Sequence, residues 1–109
     1  MCKNTELSTV LPVISEIEQH YYENYKIDHY AKMCNMSKYH FLRIFRNITG
    51  FSPLEYRNRI RLEHAKDLLE DLSIPINEIG DQLGYTSPSY FCDTFKKKIG
   101  VSPKKYRES

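Results

Sequence analysis

The chain lacks what would hold a disulfide framework, a membrane span or a catalytic centre. Its three cysteines, Cys2, Cys34 and Cys92, are an odd number with no C-x-x-C pair, so free thiols in a reducing compartment, the cytoplasm, are expected. No run of about 18 apolar residues is present to cross a bilayer, nor is a signal-peptide layout or a lipidation motif, and no membrane role is indicated. Hairpin dipeptides and apolar/polar alternation are missing, which argues against strands. The histidines show no ligand spacing such as H-E-x-x-H, and there is no phosphate loop, nucleophile elbow or paired-carboxylate motif. No enzyme activity, cofactor or metal is therefore expected, and zinc on Cys34 and His40 is not expected either.

What the 109 residues do contain is enough apolar surface for a core: 40% hydrophobic residues, with 13% aromatics. They are organised around Ser52 to Leu72, which reads as one long helix. Ser52 can cap its first free N–H groups, Pro53 sits at the first helical position where it loses no bond, and Glu55 can close a capping box. At about 1.5 Å per residue the helix should span roughly 30 Å, close to the ~34 Å between successive turns of the B-DNA major groove.

The sequence before this helix recurs after it. Phe41 to Arg57 aligns without a gap with Phe91 to Arg107: both phenylalanines of each copy, the glycine, Ser-Pro and Tyr-Arg all coincide. Two copies of one supersecondary unit are expected to frame the helix. Net charge is only +2, but it is unevenly distributed. Residues 37 to 61 hold six basic side chains against one acid, and 86 to 109 hold six against two, whereas 62 to 85 hold one lysine against six acids. A single basic run is ordinarily a solvated face. Two that coincide with a repeat suit a polyanion.

In chain order, residues 1 to 7 read as a frayed terminus. Val10, Val13, Ile14, Ile17 and Tyr21 then mark a first helix from near Thr9 to about Glu23. Ile27 to Cys34 is a short amphipathic helix, Asn35-Met36 a turn, and Ser37 the cap of a helix reaching about Thr49, stopped by Gly50. That is a helix-turn-helix. The second copy repeats the order with one more residue in the turn: Ile76 to Leu83, Gly84-Tyr85, then a helix begun by Ser87-Pro88 and stopped by Gly100, with Gly80 in the place of Ala31. Ser102-Pro103 starts a final short helix. The expected fold is all-α, about seven helices, as two helix-turn-helix subdomains (1–51 and 73–109) and a linker helix (52–72).

Within the first capped helix, Phe41, Ile44, Phe45 and Ile48 form a core stripe. The opposite stripe is Tyr39, Leu42, Arg43 and Arg46, with Lys38 at the helix start. An arginine fork matches guanine O6/N7, and Leu or Tyr can meet a thymine methyl, so this face suits a major-groove reader. The second copy buries Phe91, Phe95 and Ile99 and presents Ser89, Cys92, Asp93 and Lys96. Asp93 could accept from a cytosine amino group or simply pair with Lys96 or Lys97.

The array A-x-x-C-N-M-S-x-x-x-F-x-R-x-F-R-x-x-T-G, then S-P-x-E-Y and R-I-R-L-x-x-A-x-x-L-L, then I-x-x-I-G-x-x-L-G-Y-x-S-x-S-Y-F-x-x-x-F-K-K-x-x-G-V-S-P-x-x-Y-R resembles the DNA-binding domain of AraC/XylS-family transcription regulators over about Ile27 to Arg107. The resemblance implies two recognition helices in successive major-groove segments of promoter DNA. It places base contacts on Lys38, Tyr39, Leu42 and Arg43, then on Pro88, Ser89, Cys92 and Asp93, with Arg46 and Lys96 further along the same faces. Ser37, Ser87 and Lys97 are expected on phosphates. Where the family often carries Gln or Arg, this chain has Leu42 and Asp93. The resemblance also implies RNA polymerase as a partner, transcription activation, and fusion in many members to an effector-binding or receiver domain. The competing class is a helix-turn-helix module that binds protein rather than DNA, but such a module has no need to repeat basic blocks on both recognition helices.

Overall fold

The computed structural model describes residues 2–109, with side chains from Glu6 onward. These residues form seven α-helices and no strand: α1 Cys2–Gln19, α2 Ile27–Met33, α3 Lys38–Thr49, α4 Pro53–Glu70, α5 Ile76–Leu83, α6 Pro88–Ile99 and α7 Pro103–Glu108. They divide into two compact units, Met1–Ile60 and Arg61–Ser109. The boundary falls inside α4, whose backbone continues from one unit into the other.

Serines start four of the helices by the same chemistry. The hydroxyls of Ser37, Ser52, Ser87 and Ser102 accept from the N–H groups of His40, Glu55, Tyr90 and Lys105 at 3.3, 3.1, 3.1 and 3.2 Å. At α4 the box closes as expected, because Glu55 Oε1 accepts from the Ser52 N–H at 2.9 Å. Three helices end in left-handed glycines, α3 at Gly50, α5 at Gly84 and α6 at Gly100.

Within unit 1, Val10, Val13 and Ile17 of α1, Tyr30 and Ala31 of α2, and Phe41, Ile44 and Phe45 of α3 are buried together, with Tyr56 and Ile60 of α4 against them. Within unit 2 the buried apolar residues are Leu62, Ala65, Leu69, Ile79, Leu83, Tyr85, Phe91 and Phe95. The two tight turns share one hydrogen bond. Met36 N–H reaches Ala31 O at 3.1 Å in the first copy, and Tyr85 N–H reaches Gly80 O at 3.0 Å in the second. Asn35 makes the first turn at φ 53°, left-handed backbone that a short polar side chain tolerates, and Gly84 makes the second at φ 98°.

The structure corrects three expectations. Residues 2 to 7 are helical rather than frayed, and α1 ends at Gln19, before Tyr21 and Glu23. Leu7 is exposed and the first buried position among the described side chains is Val10, so no apolar stripe marks the helix before it. The long helix stops at Glu70, which leaves Leu72 in the turn and 76% exposed, not on the apolar face with Leu62 and Leu69. Its C-terminal end is finished by Arg107, which donates from Nε to Leu69 O at 2.9 Å and from Nη2 to Asp71 O at 3.1 Å.

Candidate nucleic-acid interface

Each unit holds its capped second helix by one core face and leaves the opposite face to solvent. On α3, Phe41 and Phe45 are fully buried with ring centroids 5.6 Å apart, and Tyr56 meets the Phe45 ring edge-on at 5.6 Å and 81°. On α6, Phe91 and Phe95 do the same at 5.9 Å, and Tyr106 meets Phe95 at 5.5 Å and 78°. The repeated Phe and Tyr positions are thus one aromatic clamp made twice. It fixes the rotation of each helix about its axis, and therefore which residues face outward.

Lys38, Tyr39 and Arg43 lie together on the exposed side of the first two turns of α3, with Tyr39 86% exposed. Leu42 beside them is half-buried. Arg46, a turn further on, is exposed and pairs with Glu55 through Nη2 to Oε1 at 3.2 Å. That pair ties the end of α3 to the capping box of α4, and at its exposure it is a weak tether. The hydroxyl of Ser37 is engaged in its own helix cap.

On α6, Pro88, Ser89, Asp93, Lys96 and Lys97 are exposed, and Ser87 is the cap. Asp93 forms no ion pair among the described residues, so its carboxylate stands in solvent. Cys92 is half-buried, and burial followed by the Asp93 charge raises its thiol above the ordinary range. It therefore presents a neutral S–H. Cys34, the C-cap of α2, is likewise raised by burial. The side chain of Cys2 lies outside the described residues.

Two features were not read from the sequence. Tyr90, in the first turn of α6, is 56% exposed, with its ring held edge-on to buried Tyr85 at 5.6 Å. Its place three residues after a capping serine was the available signal. The second feature is the inward use of three arginines that had been counted in the basic blocks. Arg57 Nη1 donates to Tyr25 O at 2.8 Å and Tyr30 Oη at 3.2 Å. Arg61 is 5% exposed over the Tyr85 ring, and Arg107 finishes α4. In each unit the outward positive charge is thus less than the sequence count: Lys38, Arg43, Arg46 and Arg59 in the first basic block, and the lysines of α6 and α7 in the second.

Residues 30–109 match a family model described as a helix-turn-helix domain. Among curated relatives, the lactose operon transcription activator of Staphylococcus xylosus is 34% identical over 84% of this chain and 33% of its own length. The chain spans about a third of the length of the curated relatives it matches. Among solved structures, the DNA-binding domain of the global transcriptional factor AdpA, in complex with a target DNA, superposes with TM-score 0.85 at 29% identity, covering 91% of this chain and 89% of that one. The C-terminal domain of AraT, a response regulator from Geobacillus stearothermophilus, gives TM-score 0.85 at 32% identity, covering 92% and 84%. Among the described residues no helix is long and apolar enough to cross a membrane.

Proposed function

We propose, from the premise that the chain belongs to the AraC-type helix-turn-helix family of DNA-binding transcription regulators, that α3 and α6 are its two base-reading helices. They would enter successive major-groove segments of an asymmetric promoter site. On this reading, residues 1–51 and 73–109 are the two reading modules and 52–72 joins them. Lys38, Tyr39, Leu42 and Arg43 face bases in one segment, and Pro88, Ser89, Cys92 and Asp93 in the other, while Ser37, Ser87 and Lys97 meet phosphates. Arg46 and Lys96 flank the two contacts. The observation that carries the reading is the exposed Lys38, Tyr39 and Arg43 face on a helix whose other side is locked by Phe41 and Phe45. It combines a guanidinium fork, an aromatic ring and an ammonium on one rigid support.

The role that follows is regulation, chiefly activation, of transcription in the cytoplasm through contact with RNA polymerase and without enzymatic activity or cofactor. An effector-binding or receiver domain in the same polypeptide would supply the signal. Selection of bound duplexes from a random pool, followed by binding at rising salt, tests the reading. With roughly six phosphates neutralised, affinity for the selected duplex should fall by a factor approaching about a thousand between 50 and 200 mM salt. If no sequence is enriched, or binding is insensitive to salt, the protein-interaction alternative takes its place.

A further inference from the structure

Each unit carries an open cavity beside its recognition helix, and the two have opposite chemistry. In unit 1 a cavity of about 350 Å³ at the starts of α2, α3 and α4 is lined by three cations, Lys26, Lys38 and Arg57, with Asp28 as the one acid, and by Tyr25 and Leu54. In unit 2 a cavity of about 310 Å³ between α5 and the start of α6 is lined by Asn77, Glu78, Asp81 and Pro88, with no cation. The repeat shows where the difference arises. Lys26 corresponds to Pro75 and Lys38 to Pro88. Arg57 corresponds to Arg107, which is committed to the carbonyls of Leu69 and Asp71.

The first cavity is also preorganised. Arg57 is held by Tyr25 O and Tyr30 Oη through Nη1 alone, so its Nε and Nη2 protons remain for an acceptor. Tyr25 is stacked on His29 at 3.9 Å and 17°, an aromatic contact that favours one placement of that wall. Lys38 opens α3, where the helix dipole adds to the positive potential. Lys26 and Arg57 against the one carboxylate of Asp28 leave a single net positive charge in the recess, which suits a tetrahedral anion of one negative charge, with Lys38 adding to the potential at its edge.

We infer that Lys26 and Arg57 seat a phosphodiester of the DNA backbone in this cavity, beside the bases that Lys38 faces, and that unit 2 has no equivalent seat. The inference rests on the DNA-binding reading above. Lys26 then carries a specific anchoring role outside both recognition helices. The bound anion could in principle be a DNA phosphate or a free phosphate group, and the two are separable.

The test is Lys26→Ala in the full chain. Lys26 is exposed and its side chain makes no cap bond to α2, so thermal melting should be unchanged. Binding to a duplex selected from a random pool should lose about 0.9 from the log–log salt slope, with equal losses on selected and scrambled sequences. Lys26→Arg should restore both. A duplex carrying a neutral methylphosphonate at one linkage should bind the native chain more weakly but cost Lys26→Ala nothing further. An unchanged slope in Lys26→Ala, alongside lost discrimination in Arg43→Ala, overturns the seat and leaves the DNA-binding reading standing. Absence of duplex binding by the native chain defeats that reading and the seat with it. In a third arm, inorganic phosphate is titrated at constant ionic strength without DNA. Saturable amide shifts at Tyr25 to Asp28 below about millimolar phosphate would assign the cavity to a small phosphorylated ligand and overturn the DNA assignment.

Discussion

Gly80 lies against Phe91 so closely that a Cβ at Gly80 would sit 2.9 Å from Phe91 Cβ and 3.1 Å from Cγ. The equivalent residue of the first copy, Ala31, is buried and keeps its methyl. The two helix-turn-helix units thus solve one packing problem at different separations. Gly80→Ala should gain about 1 kcal/mol of helix propensity and lose more, because the atoms it meets belong to the root of a fully buried ring. A net loss of about 1–2 kcal/mol is expected, lowering the thermal midpoint by about 5–10 °C. A midpoint that rises would show that α5 and α6 can separate at no cost.

Arg107 supplies the donors that the last carbonyls of α4 lack. Replacing it with Ala should leave Leu69 O and Asp71 O without this partner and cost about 1–2 kcal/mol, less than a fully buried loss because water reaches Asp71. Arg107→Lys should fall between, since one ammonium cannot reproduce a fork that serves two carbonyls. Urea midpoints of the three proteins check the ranking, and Lys equal to Arg would reduce the contact to charge alone.

How legible this was follows from the range of each interaction. The Ser52–Glu55 capping box spans three residues and could be read directly, as could the left-handed stops at Gly50 and Gly100 and the Phe stripes of α3 and α6. The fate of the arginines could not. Arg57 meets Tyr25 across 32 positions, and Arg107 meets Leu69 across 38. Whether a guanidinium faces solvent or a carbonyl is decided by neighbours that no local pattern contains. The first turns of α1 were missed for the opposite reason: Leu7 faces outward and the first buried position among the described side chains is Val10, so no apolar stripe marks the helix before it.

Burial pushes the phenol of Tyr85 up to about 12, with the nearby Arg61 charge opposing and Tyr90 adding to the rise. The neutral form is favoured in the folded state, so the stabilisation is fully present below the ordinary value near 10 and is lost as pH rises towards 12. Between those limits the native chain should lose stability relative to Tyr85→Phe by up to about 1.4 kcal/mol per pH unit. Chemical denaturation at pH 9, 10 and 11 measures the difference, which should be constant below pH 10 and shrink above it. Parallel pH profiles for the two proteins would mean that the phenol ionises without unfolding cost.

Arg43 and Lys97 separate reading from holding. Both are exposed on recognition helices, but a guanidinium fork two turns into α3 can satisfy guanine O6 and N7 together, whereas an ammonium in the last turn of α6 is suited to a phosphate. Arg43→Ala should cost about 1–3 kcal/mol on the selected duplex, relax discrimination at one or two base pairs and leave random-sequence affinity nearly intact. Lys97→Ala should weaken selected and random duplexes by the same factor and lower the salt slope by about one. The comparison needs both duplexes at several salt concentrations, because a loss seen at one salt on one sequence cannot distinguish the two roles. Equal losses of Arg43→Ala on selected and random DNA would remove Arg43 from the base-reading set and leave α3 as a backbone contact only.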